Sequence, residues 1–190
     1  MEYNRDMRYY KVIKLNNGDT CILRNGTEKD ALAVRDSFYL THGETDFLTG
    51  TPDESLINEE TEARFLKART ESPDEIEMVA ETGGKIVGCA GIDCIGRNEK
   101  LKHRANFGIS VEKAYWGLGI GRALTEACIE CAAEAGYLQI ELEVVADNSR
   151  AVSLYESLGF KEFGRNPKGF RSRISGFQEL ISMRLEINEE

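Results

Sequence analysis

The chain has 190 residues, of which 41% are hydrophobic, and a formal net charge of −9. This length and composition fit one α/β domain with a sizeable core, so we expect a single domain over residues 1–190. Because phosphate backbones attract clustered Lys and Arg, the acidic balance excludes a general nucleic-acid binder and favours cationic partners.

The chain shows no sign of a membrane or metal partner. It has no apolar run near the roughly 18 residues that a membrane helix needs, and its start, MEYNRDMRYYK, lacks the apolar core of a secretion signal. We therefore expect a cytoplasmic protein whose scattered cysteines are reduced and buried. Cys128 and Cys131 form a CxxC, but no second pair or nearby His completes a zinc site, so no metal is expected.

The first half of the chain predicts paired strands and two helices. The turn sequence Asn16-Asn17-Gly18-Asp19 joins two β-prone runs, which form an N-terminal hairpin extension over residues 1–23. In order, the expected elements are strands at Tyr9–Leu15 and Thr20–Leu23, a helix from Thr27 to about Tyr39, a helix from Asp53 or Ser55 to about Arg69, and strands at Glu75–Ala80 and Lys85–Ile95.

The second half alternates strands with helices. Its last strand, Phe177–Ile187, offers an edge at which a homodimer could form. In order, the expected elements are a strand at Arg104–Val111, a helix from Gly119 to the stop at Gly136, a strand at Leu138–Val145, a helix from Asp147 or Asn148 to Leu158, and strands at Phe160–Gly164 and Phe177–Ile187 around a basic loop, Arg165–Arg173.

Acidic residues are concentrated between Thr41 and Glu62. They have two interpretations. Acids favour the first turn of a helix and solvated surfaces, which would make this region structural. Alternatively, the acids form a rim that attracts a cationic acceptor molecule.

Glycine alternates with larger residues directly after the strand Arg104–Val111. Gly117, Gly119 and Gly121 allow a tight turn whose N–H groups are open to a ligand, and the following helix start favours phosphate. A nucleotide P-loop needs Lys and then Ser or Thr after the last glycine, but Arg122 and Ala123 follow here. The dinucleotide fingerprint does not fit from either Gly117 or Gly119.

The surrounding sequence is more specific than the glycines. ISVEKAYWGLGIGRAL and, downstream, LEVVADNSRAVSLYESLGF resemble the central and C-terminal motifs of the GCN5-related N-acetyltransferase superfamily. The close resemblance covers residues 107–163, which we expect to form the cofactor-binding and catalytic core. It implies a mixed, mostly antiparallel sheet of about seven strands flanked by about four helices, an α/β (α+β) fold.

The resemblance implies acetyl-coenzyme A as cofactor. The backbone from Trp116 to Arg122 would hold the pyrophosphate, although the family usually begins this motif with Gln or Arg where this chain has Trp116. The strand end would pair with the pantetheine arm, and the Asn148 side chain would hold it. The expected cofactor-binding residues are Ile109, Ser110, Val111, Trp116, Gly117, Leu118, Gly119, Ile120, Gly121, Arg122 and Asn148.

The resemblance also implies catalytic residues for attack of a primary amine on a thioester. Tyr155 matches the family position beside the thiol and could donate a proton, or it could be a core aromatic. Glu143 is the best candidate base, working through water or a raised pKa, unless it only orients a loop. Further candidate bases are Glu141, His103 and Asn106.

Besides a role as a dimerisation scaffold, three functions remain open at this point. The first is acetylation of a small cationic amine, which the acids near Thr41 to Glu62 favour slightly. The second is acetylation of a protein N-terminus, and the third is non-catalytic binding of coenzyme A.

Overall fold

The computed structural model describes residues 8–54 and 57–187, which form an eight-stranded sheet and four α-helices. Short 3-10 turns lie at Glu28–Asp30 and Lys113–Tyr115. The strands are β1 (Tyr10–Lys14), β2 (Thr20–Asn25), β3 (Ile76–Thr82), β4 (Lys85–Cys94), β5 (Arg104–Val111), β6 (Gln139–Val145), β7 (Lys161–Ser172) and β8 (Gly176–Glu186). The helices are α1 (Ala31–Glu44), α2 (Glu59–Thr70), α3 (Ile120–Glu134) and α4 (Ser149–Ser157).

The strands lie in the order β1-β2-β3-β4-β5-β6-β8-β7, and every neighbouring pair is antiparallel except β5 and β6. The expected mixed fold with four helices is confirmed. The sheet has eight strands because the N-terminal hairpin joins it through pairing of β2 with β3. The hairpin is therefore an integral part of the sheet.

Successive side chains of each strand point to opposite faces of the sheet, and each face has its own hydrophobic core. Leu124 and Cys128 of α3 pack in the main core on one face, together with inward residues of β3 to β6 such as Met78 and Ile140. The opposite face carries a smaller core in which α1 and α2 cover Val79 of β3. Because side chains alternate between faces, Glu77, Gly91 and Glu143 share the face covered by α1 and α2.

Two predicted boundaries were wrong. Helix α2 begins at Glu59 with Asn58 as its N-cap, whose side chain accepts from the N–H of Thr61, while Asp53 lies in a turn. The alternative start at Ser55 lies outside the described residues. Helix α1 continues to Glu44, beyond the expected end near Tyr39, and Glu44 accepts a hydrogen bond from the N–H of Lys113.

The C-terminal hairpin also differs from the prediction. Most of the expected basic loop, Arg165–Arg173, belongs to β7, which reaches Ser172 by accommodating register shifts around Pro167. From Leu180 to Glu186, strand β8 pairs with β6 on one side, and it pairs with β7 on the other, so this part of the expected edge is already covered within the sheet. The C-terminal edge of the sheet is β7.

The parallel pair β5 and β6 stays together for only three residues. Its register ends at Asn106 opposite Glu141, and no strand of the described ranges pairs with the remainder of β5 on that side. Arg104 closes the paired end through two bonds to Glu141, with Nε 2.5 Å from Oε1 and Nη2 2.8 Å from Oε2. The two strands therefore leave a wedge-shaped opening through the sheet beyond Asn106.

Candidate active site

Two cavities meet at the opening between β5 and β6. One, of about 500 Å³, lies at the glycine turn and the N-terminal end of α4. The other, of about 780 Å³, lies between α1, α2 and the sheet. Both are lined by Ile109, Ser110, Asn148, Ala151 and Tyr155, so the opening connects the two faces of the sheet at these residues.

The glycine turn leaves its backbone donors open. Gly117 and Gly119 have φ values of 79° and 97°, a region that other residues rarely adopt, whereas Gly121 lies within α3. Among the described residues, none accepts a hydrogen bond from the N–H groups of residues 117–122. These donors and the first turn of α3 form a site suited to an anion, on the lining of the smaller cavity.

Residues outside the motif hold this turn in place. The N–H of Asn16 donates to the Leu118 carbonyl at 3.1 Å, and its side-chain amide donates to the Gly117 carbonyl at 2.9 Å. In the sequence, the turn that contains Asn16 predicted only the hairpin of β1 and β2. In the structure, this turn also supports the glycine turn. The motif gives no signal for Asn16, because its contact depends on the position of β1 and β2 beside α3.

Trp116 fixes the turn to the end of β5. Its indole Nε1 donates to the Val111 carbonyl at 2.7 Å, so that carbonyl is already engaged by the protein. The guanidinium carbon of Arg150 lies 5.2 Å from the centroid of the Trp116 ring. Arg122 instead reaches α4, donating to Ser157 Oγ at 2.6 Å. Two cationic side chains thus border the cavity at the glycine turn.

The N-terminus of α4 places Asn148 and Tyr155 at the opening. Asn148 Oδ1 accepts from the N–H of Ala151 at 3.3 Å, which uses the carbonyl of the side chain and leaves its NH₂ for a ligand. About two helical turns after Asn148, Tyr155 is 7% exposed. Its ring packs edge-on against Phe107, with ring centroids 6.1 Å apart. Burial raises the Tyr155 pKa to about 12. Its hydroxyl bonds to none of the described residues.

Glu143 is less constrained than Glu141, the other carboxylate among the candidate bases. Glu143 lines the larger cavity, and among the described residues its carboxylate meets only Ser182 Oγ, at 3.5 Å. Glu141 is bound by Arg104 and Gln139, and the hydrogen bonds from Arg104 keep the pKa of Glu141 below its usual range. Asn106 lines the same cavity, but His103 does not.

Other proton acceptors in the larger cavity are not part of the recognised motifs. His42 lies on α1, where burial lowers its pKa. Its Nδ1 is 2.8 Å from the Phe38 carbonyl, which can only accept, so Nδ1 is the protonated nitrogen and Nε2 keeps a lone pair. Glu62, Glu77 and Asp93 also line this cavity.

Burial and neighbouring charges change the acidity of these carboxyl groups. Burial, with the charges of Asp93 and Glu62, raises the pKa of Glu77 from 4.5 to about 8, while Arg69 opposes the change. Burial also raises the pKa values of Glu62 and Asp93. Perturbed groups of this kind in a cleft mark a functional-site candidate.

Most of the acids between Thr41 and Glu62 have structural partners. Asp46 accepts from Ser172, Ser175 and Gln178 at the tip of the β7–β8 hairpin. Asp53 and Glu54 pair with Arg173 of the same hairpin at 2.7 and 3.2 Å. These contacts favour the structural interpretation for that group of acids. Of the expected acidic rim, Glu62 lines the cavity.

The chain matches the model of the acetyltransferase (GNAT) family over residues 42–160. It therefore belongs to this family, which confirms the resemblance found in the motifs. Membership gives the enzyme class expected from the sequence, an acetyltransferase of the GNAT family.

Individual relatives support the same class. The N-alpha-acetyltransferase RimI of Mycobacterium tuberculosis is 37% identical over 105 residues, covering 55% of this chain and 63% of the relative. An acetyltransferase of the GNAT family from Streptococcus pneumoniae has a TM-score of 0.84 and 28% identity, covering 88% of this chain and 99% of its own. The fold also matches yncA from Salmonella typhimurium, solved with its cofactor acetyl-CoA, at 19% identity and a TM-score of 0.79, covering 90% and 95% of the two chains.

No helix among the described residues has the length and apolar character needed to cross a membrane.

The Glu77 carboxyl group should make stability depend on pH. Below about pH 4.5 this group is protonated in both states, and as pH rises to about 8 the unfolded chain ionises it while the folded protein retains the proton. Its contribution therefore lowers the free energy of unfolding over that window. We expect Glu77→Gln to become more stable than the parent as pH rises, by about 1 to 4 kcal/mol at pH 8.

Urea unfolding of both proteins between pH 4.5 and 9 measures this difference. Glu60→Gln removes an exposed carboxylate from α2 and serves as control for net charge. A stability difference between Glu77→Gln and the parent that does not change with pH would contradict the raised pKa.

Proposed function

We propose that the chain transfers the acetyl group of acetyl-coenzyme A to a primary amine by direct attack. The observation that carries this proposal is the opening between β5 and β6, which joins an anion-binding glycine turn to a second, acid-lined cavity beside Tyr155. Bound in the smaller cavity, the cofactor would supply an activated acetyl thioester. The larger cavity would admit the amine from the face covered by α1 and α2.

The residues of the smaller cavity fit coenzyme A. Free N–H groups at residues 117–122 and the start of α3 would bind the pyrophosphate, with Arg122 and Arg150 adding positive charge nearby. The unpaired edge of β5 from Ile109 to Val111, apart from the Val111 carbonyl that Trp116 already binds, would offer main-chain groups to the pantetheine arm. The Asn148 NH₂ would donate to the same arm, since its carbonyl caps α4.

Two side chains would move protons during the reaction. A departing thiolate needs a proton, and the Tyr155 hydroxyl holds one at neutral pH because its pKa is about 12. The attacking amine must lose a proton as its nitrogen bonds to the acetyl carbon. Glu143 would accept that proton, directly or through water, since its carboxylate has only one distant partner.

Two kinds of acceptor fit an acid-lined cavity of this size. A small cationic amine is the acceptor that the charge of the cavity favours. A protein N-terminus is favoured by the name of the M. tuberculosis relative, an N-alpha-acetyltransferase. An acetyl-transfer screen over polyamines, aminoglycosides, amino acids and short peptides, read by thiol release, tests the proposal. Release that no amine stimulates would reject the transferase function.

Tyr155→Phe tests the proton donor. Removing the hydroxyl should lower turnover by roughly 10²- to 10⁴-fold, as expected for loss of general-acid catalysis, with little change in coenzyme A affinity. Steady-state kinetics and calorimetric titration with coenzyme A measure the two quantities. Tyr137→Phe is the control, because Tyr137 is buried in the same core but lines neither large cavity. Equal turnover in Tyr155→Phe and the parent would exclude the hydroxyl from catalysis.

Gly121→Val tests the glycine turn. Gly121 has helical geometry, and a Cβ there would lie 3.7 Å from Leu154 Cδ2, so a larger side chain can be added without a positive φ. It would occupy the cavity between the turn and α4, and we expect coenzyme A to bind about tenfold or more weakly. Calorimetry on the folded variant measures this affinity.

Gly119→Val is a poorer test, because the φ of 97° at Gly119 strains any side chain even without ligand. Parent-like affinity in folded Gly121→Val would place the pyrophosphate elsewhere.

A further inference from the structure

A row of three residues crosses the sheet towards the opening. Glu77 of β3 is opposite Gly91 of β4, and Gly91 is opposite Gly108 of β5. Residues opposite one another in antiparallel strands project from the same face, here the face covered by α1 and α2. Because two of the three lack side chains, the row forms a trough with a backbone floor that leads from Glu77 to the opening.

The Glu77 side chain extends along this trough. A Cβ built on Gly91 would overlap Glu77 Oε2 and lie 2.9 Å from the Ile76 carbonyl, so the carboxyl group occupies the space above Gly91. The space above Gly108 is open, with no atom within 4 Å of a Cβ built there. The carboxyl group thus lies one strand nearer the opening than its own strand does.

Glu77 has no compensating partner in the cavity. No described residue donates a hydrogen bond to its carboxyl group or forms an ion pair with it. Asp93 is different, because Arg69 pairs with it and with Glu75. Glu62 of α2 faces the same cavity, also without an ion pair among the described residues. Two uncompensated carboxyl groups therefore face one space from two sides.

We propose that Glu77, assisted by Glu62, binds a second cationic group of the acceptor and so selects acceptors that carry one. This inference rests on the proposed function, because it assumes that the attacked amine lies at the opening. The trough places the second cation one to two strand spacings from that amine, roughly 5 to 10 Å. A polyamine or a peptide with a basic residue near its N-terminus has this chemistry.

The acidity of the cavity agrees with a cation site. Glu62 and Asp93 repel charge on Glu77, and Arg69 alone among these neighbours favours it. An ammonium or guanidinium group would add the missing positive charge and draw the proton off Glu77. Binding of the second cation should therefore release a proton.

Acceptor pairs of matched size test the inference. We would compare the parent and Glu77→Gln with alkyl monoamines and diamines of increasing length, and with tripeptides carrying alanine or lysine at the second position. In the parent, the second cation should raise kcat/KM, most strongly when the two charges are roughly 5 to 10 Å apart. Glu77→Gln should reduce that advantage about tenfold or more, through KM. The diamine and peptide arms distinguish the two sources of the cation.

Glu60→Gln, which removes an exposed carboxylate of α2, should retain the advantage and controls for net charge. Two kinetic results would overturn the inference: an advantage that survives in Glu77→Gln, or an equal loss of kcat for mono- and dications, which would make Glu77 a proton acceptor instead.

Calorimetry with the same amines separates this inference from the proposed function. If the parent binds dications more tightly than monoamines and Glu77→Gln does not, the cation site stands even if no acetyl transfer occurs. Equal binding of mono- and diamines by the parent would reject the site.

Discussion

Strands β5 and β6 are hydrogen-bonded for three residues and then separate, and the connection between the two cavities of the candidate site depends on that geometry. A continuous pair would close the sheet between the glycine turn and the acidic cavity. Arg104 and Glu141 hold the paired end with two bonds, while on the far face Phe107 packs against Tyr155 of α4. The Arg104–Glu141 ion pair therefore lies where the two strands begin to separate, and the Phe107–Tyr155 contact borders the opening on the face that packs against α3 and α4.

The separation also explains how one site can bring together groups from opposite faces of the sheet. Tyr155 reaches the opening from the α3 and α4 side, whereas Glu143 shares the face covered by α1 and α2. The proposed proton donor and the proposed proton acceptor are thus separated by the plane of the sheet. This arrangement keeps the acidic carboxylates away from the anion-binding turn, where they would weaken phosphate binding.

The family resemblance was sufficient to name the candidate residues that lie in short motifs and that the structure brings to the two cavities. The glycine turn, Asn148 and Tyr155 belong to two short motifs whose spacing is fixed by one strand and two helices, so the order of elements was predictable. Glu77, Gly91 and Gly108 form a row only through the register of three strands, which no local pattern specifies. Asn16 escaped notice for the same reason, since it supports a turn about a hundred residues away.

The predicted boundaries failed where tertiary contacts override local signals. Arg165 to Arg173 contains Pro, Gly and several charges, a composition typical of a loop, yet β7 forms because its bulges accommodate Pro167 and its Arg165 pairs with Glu162 and Glu179. Arg173, the residue after β7, pairs with Asp53 and Glu54, which the sequence alone left as a possible substrate rim. Composition alone does not show whether these acids are structural or bind substrate, because that depends on which hairpin packs beside them.

Trp116 shows how a departure from the family motif can be compatible with the same site. The expected Gln or Arg would bring a polar or charged side chain to the start of the turn. Here the indole uses its one donor to fix the turn to Val111, and its ring lies against the guanidinium of Arg150. Positive charge is then supplied from α4, next to the Asn148 cap. In this chain the helix that faces the turn therefore carries a cation beside the free N–H groups of the turn.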